Sequence, residues 1–212
     1  MDERRQNIEI EIKLRLESFC EYLKLVGFLG NPDRELHQVN CFFDSEDHRL
    51  MADGWAFRVR TEDNRGLVTL KGAASTAHPV AVVREEIEAE IDRGAAADII
   101  NLQSDILTIA VEPVTFVKKK WPGIALSKLV QFTNTRQFKN YKIGDYVYVL
   151  ELDRTEYADG SIDYELEMEL DQPQQAEVVI PSLQKLFASL DIPFEQQDES
   201  KFARALAKVT RF

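Results

Sequence analysis

The 212 residues include 37 Asp and Glu against 26 Lys and Arg, a formal net charge of −11, and 44% are hydrophobic. That apolar share is enough for a real core and excludes wholesale disorder. The acidic balance excludes a protein that grips nucleic-acid duplexes through a basic surface, although the cations can still be concentrated in a pocket.

In chain order, Met1 to Asn7 is polar and lacks the apolar centre of a signal peptide, and no later run approaches the ~18 apolar residues of a membrane span. A first strand is expected near 8–16, reading Ile8-Glu9-Ile10-Glu11-Ile12-Lys13-Leu14-Arg15-Leu16. Side chains two apart share a face, so Glu9, Glu11, Lys13 and Arg15 line one side and the aliphatic residues the other. Ser18 to Leu29 has helical spacing in Phe19, Leu23 and Val26, with Gly30 as a stop. Strands follow near 35–44 and 55–62, the latter with Arg58 and Arg60 on one face. The turn Asp63-Asn64-Arg65-Gly66 leads into a strand near 67–72 that carries Lys71. Another near 82–91 sets Arg84, Glu86 and Glu88 on one face.

A weak helical pattern covers Asp98 to Val111. The stretch from Val111 to Ala125 fits no element, and its run Lys118-Lys119-Lys120 reads as a solvated edge. Strands near 128–142, 146–157 and 161–170 complete a set of eight, the last two joined by Ala158-Asp159-Gly160-Ser161. They place Glu151 beside Asp153 on one face, and Glu165, Glu167 and Glu169 on another. Helices are expected around Leu183–Leu190, started or kinked by Pro181, and around Glu199–Val209. His37, His48 and His78 have no ligand spacing. Cys20 and Cys41 lie far apart without a CxxC, which predicts free thiols in a reducing cytosol and hence a cytoplasmic protein. No repeat or linker divides the chain, so 1–212 is expected to be one domain.

The charges are segregated by sign. Like charges two apart on a strand are ~7 Å from each other and repel by ~2 kcal/mol at an effective dielectric of ~20. Clustering them makes sense where something neutralises each cluster: divalent cations for the carboxylates, phosphate oxygens for the arginines. In a closed barrel one face of every strand points inward. Periodicity leaves both choices open, a charged bore under a coat of helices or an apolar core with a charged skin.

With these residues in hand, Glu9-Ile10-Glu11-Ile12-Lys13 resembles the ExExK signature of the CYTH superfamily, the triphosphate tunnel metalloenzymes. Phe42-Phe43-Asp44, Leu50, Gly54 and Arg58-Val59-Arg60 then resemble the family's next block. Lys71, Arg84-x-Glu86-x-Glu88, Arg136, Glu151-x-Asp153, Glu165-x-Glu167-x-Glu169 and Ser200-Lys201-Phe202 follow in the family's order. The resemblance covers about 8–205, with 103–127 as a variable insertion.

It implies a mainly β (α+β) fold, an eight-stranded antiparallel β-barrel with amphipathic helices packed outside. It further implies that Lys13, Arg58, Arg60, Lys71, Arg84, Arg136 and Lys201 grip phosphates. Glu9, Glu11, Asp153, Glu165, Glu167 and Glu169 would hold Mg²⁺ or Mn²⁺ or orient water, joined by Glu86, Glu88 and Glu151. Glu9, Glu11, Lys13 and Lys201 would be catalytic. The implied substrate is a small triphosphate, handled without nucleic-acid duplex or membrane, by a monomer or homodimer. Inorganic triphosphate is favoured, because the sequence offers no identifiable base-stacking element. Thiamine triphosphate, a class IV-type adenylyl cyclase reaction, and non-catalytic binding of polyphosphate or nucleotide are the alternatives.

Overall fold

The computed structural model describes residues 7–73, 75–78 and 81–209. Its strands are β1 (Asn7–Leu16), β2 (Arg34–Asp44), β3 (Ala56–Glu62), β4 (Arg65–Lys71), β5 (Ser75–His78), β6 (Ala81–Asp92), β7 (Ser127–Ile143), β8 (Tyr146–Tyr157), β9 (Ile162–Glu169) and β10 (Glu195–Gln196). The helices are α1 (Phe19–Leu29), α2 (Arg49–Ala52), α3 (Arg93–Ile100), α4 (Glu112–Lys120), α5 (Ala176–Ser189) and α6 (Lys201–Val209).

Eight strands close into an antiparallel ring in the order β1, β9, β8, β7, β2, β3, β4, β6 and back to β1. β1 is the seam. Its residues Asn7 to Ile12 pair with β6, and Glu11 to Leu16 pair with β9. All eight strands expected from alternation are present. The two short extras, β5 and β10, flank β6 and β1. The turn expected over residues 63–66 is tighter: only Asp63 and Asn64 separate β3 from β4, and Asp63 takes a φ of 39°.

The apolar faces point outward. Ile10, Ile12 and Leu14 of β1 are buried with Leu25 of α1 and Leu183 and Phe187 of α5. Across the ring, Cys41, Val59 and Val68 are buried with Ile99 of α3 and Val114 and Val117 of α4. Each covering helix therefore buries its apolar stripe against a strand face that would otherwise meet water. At Gly66 a Cβ atom would lie 2.4 Å from the Ala96 Cβ, so a glycine there lets α3 sit directly on β4.

The helical pattern read over 98–111 is replaced by a different arrangement. α3 starts earlier, at Arg93, where Asp92 accepts the Ala95 amide hydrogen bond at 3.0 Å. A 3₁₀ turn spans Ile106–Thr108. α4 begins at Glu112 with Pro113 in its first turn, where a missing N–H costs nothing. The three lysines form the last turn of α4, where they complement the helix dipole. α5 begins at Ala176, ahead of the expected start, and runs through Pro181.

One end of the bore is stopped. Phe42, Phe132 and Tyr157 share the inward faces of β2, β7 and β8 and pack against Phe202, Ala205 and Leu206 of α6. Phe42 and Phe202 stack with ring centroids 4.5 Å apart.

Candidate active site

The bore encloses a cavity of about 530 Å³. It is lined by Glu9, Glu11, Lys13, Arg58, Arg60, Lys71, Arg84, Glu86, Glu88, Arg136, Glu151, Glu167, Glu169 and Lys201, so barrel closure brings these expected residues together. Asp153 and Glu165 do not reach the cavity surface. They are buried at 0% and 1% exposure behind the cations they hold.

The walls differ in sign. On the β1, β8 and β9 side, Lys13, Arg136 and Lys201 are embedded among acids. Arg136 donates to both Asp153 oxygens at 2.8 and 2.6 Å and also pairs with Glu151 and Glu167. Lys201 contacts Asp153 at 2.7 Å, Glu167 at 2.9 Å, and Glu165. Lys13 contacts Glu11 at 2.9 Å and Glu167. Burial opposes the charge on Lys13 and Arg136, yet their carboxylate neighbours outweigh it and raise both above their ordinary values. For Lys201, burial together with the charges of Lys13 and Arg136 wins and holds the amine well below its usual value. Burial raises Asp153 and Glu167, but the surrounding cations outweigh it and hold both carboxyls down.

On the β3, β4 and β6 side the cations are under-compensated. Arg58 donates to Thr69 Oγ1 at 3.1 Å and lies 3.7 Å from Glu88. Arg84 lies 3.6 Å from Glu11. Among the described residues, the Nε atoms of both arginines are buried without a hydrogen-bond partner. Arg60 donates to Asn40 Oδ1 at 2.7 Å, and burial with the charges of Arg58 and Arg136 pulls its pKa down to about 9. Lys71 is held by Glu9 at 2.7 Å and Glu86 at 3.2 Å.

Three acids face this arrangement from the cavity surface. Burial, opposed by Arg136 and reinforced by Glu167, pushes Glu151 up to about 7. Burial and the Glu9 charge raise Glu169 above its ordinary value. Glu11 stands opposite Glu169 in the β1–β9 register, and its Oε1 is buried without a hydrogen-bond donor. Glu11 and Glu169, opposite each other, thus offer hard oxygen donors, the chemistry that a divalent cation such as Mg²⁺ takes, with Glu9 beside them held at both oxygens by Lys71. Asp153, Glu165 and Glu167 form a second, buried acidic cluster whose oxygens lie within 4.8 Å of one another. The Lys201 ammonium sits among them.

Several participants escaped the sequence reading. Arg204 donates to Glu165 at 2.6 Å, Asp163 at 2.8 Å and the Tyr157 hydroxyl at 3.0 Å. Its signal was its place three residues after Lys201, on the same face of a helix. Glu62 continues the Arg58, Arg60 alternation and accepts from Gln38 at 2.8 Å. Gln38 in turn accepts from Asn134 at 3.1 Å, and Asn134 donates to Asp153 at 2.9 Å. Asp44, part of the block that resembles the family, accepts the amide hydrogen bonds of Leu50 and Met51 at 2.9 and 3.0 Å and holds α2 in place.

A closed eight-stranded antiparallel barrel with a charged bore defines the class, and the sequence agrees. The CYTH domain model matches residues 7–205, and the chain belongs to that family. Among solved structures, the chain is similar to HpAC1 from Hippeastrum, a candidate adenylyl cyclase with a dominant triphosphatase activity. The two are 28% identical with a TM-score of 0.82, over 94% of this chain and 96% of that one. A candidate adenylate cyclase from Bacillus halodurans shares the fold at 22% identity and a TM-score of 0.70, over 93% and 97% of the two chains. No curated protein matches the chain significantly. No helix among the described residues is long and apolar enough to cross a membrane.

Proposed function

We propose that this chain is a divalent-metal-dependent triphosphatase, with inorganic triphosphate as the substrate that matches the charged part of its bore. The observation that carries the reading is the loose pairing of two guanidinium groups on the cavity wall, Arg58 at 3.7 Å from Glu88 and Arg84 at 3.6 Å from Glu11. Two such guanidinium groups lining one cavity call for a ligand with several strong acceptors, and phosphate oxygens match guanidinium geometry.

Arg58, Arg60 and Arg84 would bind the phosphate chain on one wall, with Lys71 beside them. Glu9, Glu11 and Glu169 would hold the metal, whose role when bound is to neutralise phosphate charge and lower the pKa of a bound water. Asp153 and Glu165, saturated by cations, would act from behind by aiming Arg136 and Lys201 into the bore. Those two, with Lys13, would stabilise charge as it develops on the leaving diphosphate. Glu151, pushed up to about 7, would take up the proton of an attacking water near neutral pH. Glu86 and Glu88 would restrain Lys71 and Arg58.

The test is an assay of purified protein with Mg²⁺ or Mn²⁺ on inorganic triphosphate, ATP and thiamine triphosphate, reading both phosphate and cyclic AMP. Release of phosphate that stops in excess chelator is the expected result. Cyclic AMP as the main product, or hydrolysis that ignores the chelator, would refute the proposal.

A further inference from the structure

A belt of four buried side chains crosses four adjacent strands: Asp153 of β8, Asn134 of β7, Gln38 of β2 and Glu62 of β3, each 3% exposed or less. Gln38 stands opposite both Asn134 and Glu62 in the ladders, and Asn134 lies one step along β7 from Arg136, which stands opposite Asp153. The Asn134 amide nitrogen donates to Asp153 Oδ1 at 2.9 Å and to Gln38 Oε1 at 3.1 Å. Gln38 Nε2 then donates to Glu62 Oε2 at 2.8 Å. Thr155 completes the belt by donating to Asn134 Oδ1 at 2.9 Å. Cations hold the Asp153 carboxyl down. Burial raises Glu62, but hydrogen bonds from Arg65 and Gln38 outweigh it and hold that carboxyl below its ordinary value. An ionised carboxylate only accepts, so each end of the belt demands an amide N–H, and the direction of both amides is fixed.

The two ends are the counter-charges of cations on the cavity wall. Asp153 holds Arg136 and Lys201. Glu62 accepts from Arg65 at 2.6 and 2.9 Å and lies 3.7 Å from Arg60. Burial, Arg58 and Arg136 together pull the Arg60 pKa down, so Arg60 and Arg136 repel and cannot set their own spacing. Leucines at 38 and 134 would fill the same space but leave both carboxylates free to turn. A fully satisfied buried network resists such turning. We infer that Gln38 and Asn134 are positioning residues whose amide belt fixes the separation of Arg60 from the Arg136–Lys201 pair, and with it the length of phosphate chain that the bore accepts. The inference rests on the triphosphatase reading and adds a specificity element to that site. Both residues are uncharged and lie outside the segregated charges that mark the bore in the sequence.

The experiment measures kcat and KM for inorganic triphosphate, and the inhibition constant of diphosphate, all with Mg²⁺, in the wild type, Gln38→Leu and Asn134→Leu. The wild type is expected to favour triphosphate over diphosphate. Each variant should lose about tenfold in kcat, because a small misplacement of positioning groups is costly. The preference for triphosphate should fall by a similar factor, with diphosphate binding little changed. Melting curves run alongside. A lowered Tm with kcat and the preference both within twofold of wild type would make the amides merely structural and overturn the inference. So would a wild type that binds the two anions equally. If the wild type hydrolyses nothing, the triphosphatase reading fails, and the belt is judged by the same preference taken from equilibrium binding of both anions. Where the leucine variants do not fold, Thr155→Val takes their place: it removes only the hydroxyl that orients Asn134. It should lower the preference about threefold or more, and an unchanged preference there overturns the inference.

Discussion

At the scale of single residues, Arg58 and Arg60 carry the strongest expectation. Both point into the bore beside too few acids, and among the described residues the nearest carboxylate oxygens are 3.7 Å away. Replacing either by alanine should lower triphosphate turnover by roughly 10²-fold, the scale of losing one donor to a transition state. Wild-type turnover in both variants would show that the cationic wall has no part in the reaction. Glu151 gives a pH signature. Its carboxyl is pushed up to about 7 in the folded chain, so its neutral form is the favoured one. Relative to an unperturbed carboxyl, its contribution to stability is complete below about pH 4.5 and is lost as the pH rises through about 7. Glu151→Gln should therefore gain on the wild type in denaturant midpoint as the pH is raised from 5 to 8 in metal-free buffer. Parallel curves for the two proteins would refute this placement of its charge.

At the scale of elements, α6 is held by charge as much as by its aromatic contacts. Arg204 reaches three groups on β8 and β9, one of them the almost fully buried Glu165. Arg204→Met keeps much of the volume but leaves Glu165 with Lys201 alone. Breaking a buried pair in this way costs about 3–5 kcal/mol, and calorimetry should show it as a lowered Tm; an unchanged Tm would mean that α6 is held by apolar packing. The eight barrel strands could be read from sequence because alternation is a property of each strand by itself. β5 and β10 could not, since four and two residues are too few for a period to register. α3 and α4 were blurred because Gly94 weakens one and Pro113 reads as a break when it is a first-turn residue. The same limit applied to the site. Alternation placed Asp153 and Glu165 on the charged faces of their strands, but their removal behind Arg136, Lys201 and Arg204 depends on which strands become neighbours.

At the scale of the molecule, the bore concentrates cations inside a chain of net charge −11. A ligand that binds only the folded form stabilises it by ~2.7 kcal/mol at a hundred times its Kd. For a chain of this length that raises Tm by roughly 5 °C or more. Inorganic triphosphate should produce such a shift at concentrations where sulfate does little. Equal responses to both anions would argue against a bore shaped for a chain of phosphates.

The seam at β1 also bears on biosynthesis. β1 leaves the ribosome before both of its neighbours, one at Ala81–Glu86 and the other at Tyr164–Glu169. At typical translation rates the second neighbour is made roughly 10–30 s after β1. Throughout that interval β1 presents an unclosed edge with its acids and Lys13 lacking their β9 partners, and such long-range pairing is slow to form. Cotranslational closure of this barrel therefore waits for β9, and the phosphate-binding groups meet only once that strand has been made.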